Sequence, residues 1–292
     1  MKSKLFIIAA IAGMVLVGCK KKPIEEPGVL TMTTTASGEY NLYITGTGKA
    51  EIFWGDGFKA DVTLSNLPTD LDDLVYYFVP YNYASTEEKT IKVIGNVLSL
   101  YTGGTGEVTA LDVSKMPALK VLMCGRENLI SLDVSKNTAL TFLSCWENNL
   151  TNLDVSKNTA LTFLSCAANK LENLDVSKNT ALTELYCWLN NLTNLDVSKN
   201  TALTYLDCGD NNMMTTLTLG THNALKYLYC ADNNLDKDAL VDIFHKLPTR
   251  MPADNAKIYC GGSYHPNPGY SQLQPADKQI ATDKNWSVED TW

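Results

Sequence analysis

The 292-residue sequence is poor in histidine and in charged residues. It contains three histidines, His222, His245 and His265, and only 19% of its residues are charged. The shortage of histidine leaves few candidates for acid–base catalysis or metal binding. The formal net charge is −8, whereas binding to nucleic-acid phosphates requires a basic face. Because 45% of the residues are hydrophobic, an ordinary fraction for a folded chain, wholesale disorder is also excluded.

The apolar run near the N-terminus is too short to span a bilayer. It extends only from Leu5 to Val17, whereas a transmembrane helix needs about 20 residues. Two lysines precede it, and this combination is typical of a signal peptide. The run ends in Leu-Val-Gly-Cys at residues 16–19, which resembles the lipobox of bacterial lipoproteins. That resemblance implies removal of residues 1–18 and lipidation of Cys19.

Residues 19–28 are polar, contain two prolines and predict a short tether. Several acyl chains on Cys19 would anchor the protein stably to a membrane. We therefore expect an outer-membrane lipoprotein of the cell envelope. In some Bacteroidetes an acidic run after the lipidated cysteine directs surface export, but here Lys20–Lys22 follow it. Surface-exposed and periplasmic locations both stay open.

Residues 29–97 predict a small antiparallel β-sandwich. Short runs alternate apolar and polar residues, as at 41–45, 51–54 and 90–94, and no helical periodicity interrupts them. Gly55-Asp56-Gly57 follows Trp54 and predicts a tight turn.

This Trp-Gly-Asp-Gly turn, with Tyr81-Asn82-Tyr83 and the run 89–93 after it, resembles PKD-like domains of the immunoglobulin type. The resemblance implies a module that spaces or presents another domain. Asp56 is either a cation ligand or a turn former, and the turn is the interpretation that we favour.

The centre of the chain is an internal repeat with a period of about 21 residues. One residue is inserted near His222, which lengthens the last interval between the repeated cysteines by one. Counting back, the array begins near Leu98, and residues 98–235 hold six full repeats and a seventh half. The cysteines that mark the frame are Cys124, Cys145, Cys166, Cys187, Cys208 and Cys230.

Each repeat contains two similar halves. The first half includes Leu140, Leu143, Cys145 and Asn148, and the second repeats this pattern from Leu150. Halves of about 10 residues have no room for a helix of typical length, and their apolar residues alternate with period two. We expect two short strands per repeat, stacked into two parallel sheets with about 4.8 Å per rung. A lone repeat cannot bury both faces, so stacking is required.

The pattern resembles the leucine-rich repeats of internalins and of a short bacterial variety in surface lipoproteins of Bacteroidetes. The resemblance covers about half of the chain. It implies that the recurring asparagines bond backbone groups of the turns, which would otherwise be buried without partners. Glu127 and Gly106 replace asparagine in the first rungs, where the bonding must differ. The two asparagine series are 148, 169, 190, 211, 233 and 137, 158, 179, 200.

The column of cysteines has three interpretations. Disulfides between rungs would need Cβ atoms about 3.8 Å apart, closer than in-register strands hold them. A metal needs ligands that converge on one point, whereas a column spreads them along a line. Small apolar filler fits best, because free cysteine is among the most buried residue types. We therefore expect no metal and no cofactor.

The two outward faces of the repeats differ. The second half repeats Asn, Asp, Ser and Lys, as at residues 152, 154, 156 and 157, and predicts a solvated face rather than a calcium site. The first half varies between rungs and is rich in aromatic residues. Such rings can stabilise a sheet, but a contiguous aromatic patch favours a binding site. The candidate ligand-binding residues are Phe142, Trp146, Phe163, Tyr186, Trp188, Tyr205, Tyr227 and Tyr229.

The C-terminal residues 236–292 predict a cap, because open solenoid ends need covering. Asp236 begins a helix that Pro248 ends, 256–260 is a strand that brings Cys260 to the end of the column, and a second helix covers 271–284. The chain is thus expected to be mainly β, with a signal peptide, a tether, a β-sandwich (29–97), a leucine-rich-repeat solenoid (98–235) and a helical C-terminal cap (236–292).

Function follows from the aromatic face. We expect a lipid-anchored protein that recognises a host or bacterial surface protein. A glycan-binding lipoprotein and a structural spacer without a ligand are the alternatives. An enzyme is not expected, because the chain has no convincing nucleophile–base pair, phosphate loop or metal motif.

Overall fold

A computed structural model describes residues 27–64, 77–221 and 224–290. The predicted signal peptide, Cys19, most of the tether and the insertion at His222 lie outside these residues.

Six strands with antiparallel pairing form the N-terminal unit. β1 lies between β5 and β6, and β2 pairs with β3, β4 and β5. Alternate side chains of β2, such as Tyr40, Leu42 and Ile44, are completely buried, as the period of a strand requires. The strands are β1 (Gly28–Thr34), β2 (Gly38–Phe53), β3 (Lys59–Thr63), β4 (Tyr77–Tyr83), β5 (Lys89–Tyr101) and β6 (Val108–Lys115).

The turn after β2 is held by its own side chains. Trp54 is buried and stacks on Tyr81, with ring centroids 4.6 Å apart. The Asp56 carboxylate accepts hydrogen bonds from the backbone N–H of Phe58 at 3.2 Å and from the hydroxyl of Tyr81 at 2.7 Å. Gly55 and Gly57 both have positive φ. These contacts support the interpretation of Asp56 as a turn former.

β5 crosses the predicted boundary between residues 97 and 98. It pairs with β1 and β2, and its last three residues, Ser99–Tyr101, pair on one edge with β2 and on the other, in parallel, with the first short strand of the repeats. The two units therefore share a strand, and their buried side chains form one hydrophobic cluster.

The first halves of the repeats form a parallel sheet in strict register. Leu143 lies opposite Leu164, and Leu164 opposite Leu185, which confirms the period of the rungs. The inward Leu143, Cys145 and Val155 are completely buried, and each such leucine contributes roughly 1.5–3 kcal/mol. The short strands are β7 (Val121–Met123), β8 (Phe142–Ser144), β9 (Phe163–Ser165), β10 (Glu184–Tyr186), β11 (Asn194–Asp196), β12 (Tyr205–Asp207), β13 (Thr216–Thr218) and β14 (Tyr227–Tyr229).

The second halves do not form the predicted continuous parallel sheet. In the described residues only β11 and β13 pair there as parallel strands. Local bonds take up much of the backbone instead: the Asp154 carboxylate accepts the N–H of Ser156 at 2.8 Å, and the Asn158 N–H donates to the Val155 carbonyl at 2.9 Å. The same two bonds are present at Asp196 and Asn200, where β11 does pair, so they are compatible with a short strand.

Asparagines join the rungs as predicted. Asn169 accepts the N–H of Leu150 at 3.0 Å and donates to the carbonyls of Cys145, Cys166 and Ala167 at 3.0–3.1 Å. Asn158, in the second series, donates to the carbonyls of Val134 and Asn137. Asn169 therefore bonds backbone groups of its own rung and of the rung before it, whereas Asn158 bonds carbonyls of the rung before it.

In the second rung Glu127 takes the place of the ladder asparagine and bonds differently. It is 3% exposed, and its two carboxylate oxygens accept four hydrogen bonds, from the Thr102 hydroxyl and from the N–H groups of Gly104, Glu107 and Val108. Burial raises the pKa of Glu127, although these donors oppose the rise. The carboxylate thus closes the loop that precedes β6.

From the second rung onward, the chain turns at the residue before each ladder position. These residues adopt the left-handed conformation, with φ between 51° and 58°, which costs an L-residue about 1–2 kcal/mol. The repeat pattern did not predict them, because their identities vary from rung to rung: Arg126, Glu147, Ala168, Leu189, Asp210 and Asp232.

Two helices and two more strands follow the repeats. α1 (Lys237–Lys246) begins at Asp236, whose carboxylate accepts the N–H of Ala239 at 2.8 Å. β15 (Ala256–Tyr259) and β16 (Trp286–Glu289) extend the first sheet in parallel beyond β14. Neither helix in the described part of the chain is long and apolar enough to cross a membrane.

α2 (Pro275–Thr282) is shorter than the predicted helix over 271–284. Pro275 occupies its first turn, and the residue before a proline avoids helical geometry. A single 3-10 turn, Tyr270–Gln272, stands in place of the predicted first helical turn.

Candidate binding face

The structure places the predicted aromatic residues in two positions of the rungs. Six of them are the first or third residue of a strand, and so lie on the face opposite the buried leucines. Trp146 and Trp188 directly follow the cysteines of their rungs. Most of these side chains are half-buried, and Tyr229 is buried. The strand residues are Phe142, Phe163, Tyr186, Tyr205, Tyr227 and Tyr229.

The rings on the strands form a continuous row. Phe142 and Phe163 are stacked with centroids 4.1 Å apart, and the row continues through Tyr186 to Tyr205 at 5.4 and 4.8 Å. Tyr205 contacts Tyr227 and Tyr229 at 5.9 and 5.3 Å. Neighbouring rings therefore stabilise the sheet as well as forming a surface.

Tyr259 on β15 extends the row, and sequence reasoning missed it. Its ring is stacked on Tyr229 with centroids 4.4 Å apart. The frame of the repeats is lost after Leu235, so spacing alone did not align Tyr259 with the earlier rungs. The Ala-Lys-Ile-Tyr-Cys run was a usable signal, since its Ile-Tyr-Cys matches Leu-Tyr-Cys at 185–187 and 228–230.

Trp146 has its own partners near the N-terminal end of the row. The Arg126 guanidinium lies 5.5 Å from the ring centroid, and its Nε is 3.2 Å from a carboxylate oxygen of Glu147. Gly125 is required beside the ring, because a Cβ there would lie 2.3 Å from the indole. An arginine of the chain itself thus covers this tryptophan.

A cleft of about 660 Å³ lies at the C-terminal end of the row. We call it the tyrosine cleft. Three aspartates, Asp207, Asp210 and Asp232, line it together with the rings, and its lining includes neither lysine nor arginine. The aromatic residues that define it are Tyr186, Trp188, Tyr205, Tyr229, Tyr259 and Tyr264.

Burial sets the electrostatics of the cleft. It raises the pKa of Asp207 to about 7, although a hydrogen bond from the Gly209 N–H at 3.2 Å opposes the rise, and the charge of Asp210 adds to it. Burial and the neighbouring Asp232 likewise raise the pKa of Asp210, which the charge of His265 opposes. Burial also raises the pKa of Tyr229 to about 12. Negative charge in the cleft is therefore poorly compensated.

Asp232 shapes the rim of the cleft. Its carboxylate accepts hydrogen bonds from the N–H groups of Ser263, Tyr264 and His265 at 2.7–3.2 Å. Gly262 has φ +135°, and a Cβ there would lie 2.4 Å from the same carboxylate. This loop presents Tyr264 at the rim with 82% of its side chain exposed.

Asn267, which the sequence also did not identify, ends the first asparagine series. It accepts the N–H of Leu235 at 2.9 Å and donates to the carbonyls of Cys230 and Cys260 at 2.8 Å. Asn169 makes the same kinds of bond earlier in the series. The amide of Asn267 fixes the loop that carries Tyr264 to the last rungs.

The seven cysteines from Cys124 to Cys260 are free thiols buried in the core, where small apolar filler is expected. Burial raises the pKa of all seven, for example that of Cys166 to about 12. No group of three His, Cys, Asp or Glu side chains in the described residues is placed to hold a metal ion.

The outward aspartates of the second halves have a structural role that the sequence did not reveal. Asp133, Asp154, Asp175 and Asp196 each accept the N–H of the serine two residues later at 2.8 Å. Bonds to the backbone and hydroxyl of these serines lower the pKa of each aspartate. The ladder of carboxylates is therefore a series of turn caps on a solvated face.

The chain is similar to solved leucine-rich-repeat proteins. The functional domain of InlJ from Listeria monocytogenes, which includes a cysteine ladder, is 39% identical with a TM-score of 0.49, over 53% of this chain and 36% of that one. A leucine-rich-repeat protein of Leptospira interrogans is 19% identical with a TM-score of 0.47, over 61% of this chain and 44% of that one. The Listeria internalin InlF is 16% identical with a TM-score of 0.42, over 66% of each chain.

This chain therefore spans less than half the length of the first two of these proteins. No protein-family model and no curated protein matches the sequence. The regular rungs, the parallel sheet and the asparagine series themselves have the arrangement of a leucine-rich-repeat solenoid.

Proposed function

We propose that the chain is a cell-envelope protein that recognises another protein through the aromatic face of its solenoid. The observation that carries this proposal is the row of rings from Phe142 to Tyr259, which ends in the tyrosine cleft. Exposed aromatic surface marks interaction sites, and tyrosine and tryptophan are frequent anchors of protein interfaces.

The contrast between the two faces supports recognition. The second halves present the same turn-capping aspartates from rung to rung. The first halves change their outward residues, from Phe142 and Ser144 on one rung to Glu184 and Tyr186 two rungs later. A surface that only spaced other domains would have no need for such variation.

The proposed setting is the bacterial envelope. Under this proposal residues 1–18 are removed, and Cys19 carries the lipid anchor of a Bacteroidetes-type outer-membrane lipoprotein. The N-terminal strands are a PKD-like module that holds the solenoid away from the membrane. Residues 236–292 cap the far end of the solenoid. Cell fractionation of wild type and Cys19→Ala tests the anchor. Release of the variant from the membrane is expected, and retention would contradict it. Protease shaving of intact cells then distinguishes surface from periplasmic exposure.

Binding is tested by capture of surface proteins on the immobilised chain. The Trp146→Ala/Trp188→Ala variant should lose the specific partner, whereas Ile130→Ala/Met213→Ala, which removes two exposed apolar side chains elsewhere, should retain it. Equal capture by wild type and the tryptophan variant would refute the role of the aromatic face. A glycan array with the same variants covers the sugar alternative, and the absence of any ligand would favour a spacer.

A further inference from the structure

The tyrosine cleft measures about 660 Å³, which is ample room for an extended side chain. A continuous row of rings, Tyr186, Tyr205, Tyr229 and Tyr259, forms one wall of it. The faces of aromatic rings carry partial negative charge, so a cation placed over them is attracted.

Carboxyl groups, which become negative as they ionise, lie beside the rings. Asp207 and Asp210 line the cleft together with Asp232, and Asp232 already accepts three backbone N–H groups from the rim loop. Asp207 accepts a backbone hydrogen bond from Gly209. Burial raises the pKa of both Asp207 and Asp210, which means that their charged forms are poorly compensated.

The other end of the aromatic row shows what such a site holds. There the chain's own Arg126 lies over Trp146 and pairs with Glu147. Trp188 occupies the same rung position as Trp146 two rungs later, but Ala168 stands where the arginine would be. The arginine that lies over Trp146 therefore has no counterpart at the equivalent position beside Trp188.

We infer that the tyrosine cleft binds a lysine or arginine side chain presented by the protein partner. This inference rests on the proposed function and adds the chemistry of the partner. The aliphatic stem of the side chain packs against the row of rings, and its cationic end reaches Asp207 and Asp210. Tyr264, which is 82% exposed at the rim, closes over the stem.

The test uses the purified full-length chain and end-blocked peptides of sequence Gly-Gly-Lys-Gly-Gly, with Arg and Gln versions and the neutral sugar maltohexaose as further probes. Saturation-transfer NMR at pH 8 measures binding with Asp207 ionised. We expect the Gln peptide to bind at least about tenfold more weakly than the Lys and Arg peptides.

Two variants locate the binding. Asp207→Asn keeps the side-chain volume and an oxygen for the Gly209 N–H, and it should weaken binding of the Lys peptide about tenfold. Tyr264→Ala removes an exposed ring, so folding is not at risk, and should weaken it about threefold. Glu172→Gln and Ile130→Ala, at exposed positions outside the cleft, are the matched controls and should bind as wild type does.

Equal binding of the Lys and Gln peptides, preferential binding of maltohexaose or full binding by Asp207→Asn would each overturn the cation site. So would the absence of binding by every probe. The capture experiment tests the proposed function separately. If capture of a surface protein depended on Trp146 while the cleft bound no cationic peptide, protein recognition by the aromatic face would stand and the cation site would be refuted.

Discussion

Replacing one ladder asparagine tests how the rungs are joined. In Asn169→Ala the Leu150 N–H loses the side-chain acceptor that lies 3.0 Å away. The carbonyls of Cys145 and Cys166 each keep one partner, because Asn148 and Asn190 also donate to them. One buried donor is then unsatisfied, at a cost of about 1–3 kcal/mol, and the lost bonds to the carbonyls add about 1 kcal/mol. We therefore expect a loss of about 2–4 kcal/mol in the free energy of unfolding.

Urea denaturation followed by far-UV circular dichroism measures this loss. Asn173→Ala is the matched control, since Asn173 is an exposed asparagine in the second half of the same rung, and its effect should stay within about 0.5 kcal/mol. Asn169→Asp keeps the acceptor but removes the donors, so it should destabilise at least as much as the alanine variant. If Asn169→Ala and Asn173→Ala had the same effect, the asparagine series would not join the rungs.

Three further predictions concern single side chains. Burial raises the pKa of Asp207 to about 7, so between about pH 4 and 7 the folded chain keeps a proton that the unfolded chain has lost, and the free energy of unfolding falls as the pH rises through this window. Asp207→Asn removes this dependence. In urea denaturation at each pH, the variant should recover up to about 4 kcal/mol at pH 8 and nothing below pH 4. In Glu127→Gln an amide NH₂ faces backbone N–H groups that donate to the carboxylate in the wild type. The free energy of unfolding should fall by about 1–3 kcal/mol in the same urea assay. An unchanged urea midpoint would contradict the role of Glu127 in closing the loop. Leu189→Asn relieves a left-handed, 49% exposed leucine and should raise stability by about 0.5–1 kcal/mol, seen as a higher melting temperature.

The sequence predicted the first halves of the rungs well. The Leu-x-Cys alternation placed the strands correctly, and Leu143 does lie opposite Leu164. The resemblance to leucine-rich repeats implied the structural role of the asparagine series, and Asn169 makes the implied bonds to backbone groups. Glu127 was correctly expected to bond differently, since a carboxylate accepts hydrogen bonds but donates none.

Prediction failed where the spacing changed and where alternation alone did not decide the pairing. α1 interrupts the frame after Leu235, so Asn267 follows Asn233 at a longer interval than separates the earlier members of the series, and its place became visible only in three dimensions. The second halves have the alternation of a strand, yet in the described residues only β11 and β13 pair there as parallel strands. Tyr264 belongs to no periodic pattern, because a loop and the Asp232 carboxylate position it.

The near-identity of successive rungs has a consequence for length. Asn158, Asn179 and Asn200 make the same bonds at nearly the same distances to the rung before them, so one more copy of the repeat would find every partner already in place. Each added or deleted copy would shift the tyrosine cleft relative to the N-terminal strands by about 4.8 Å without altering either. Tandem duplication in the gene could therefore adjust the reach of this protein in even steps while its binding chemistry stayed constant.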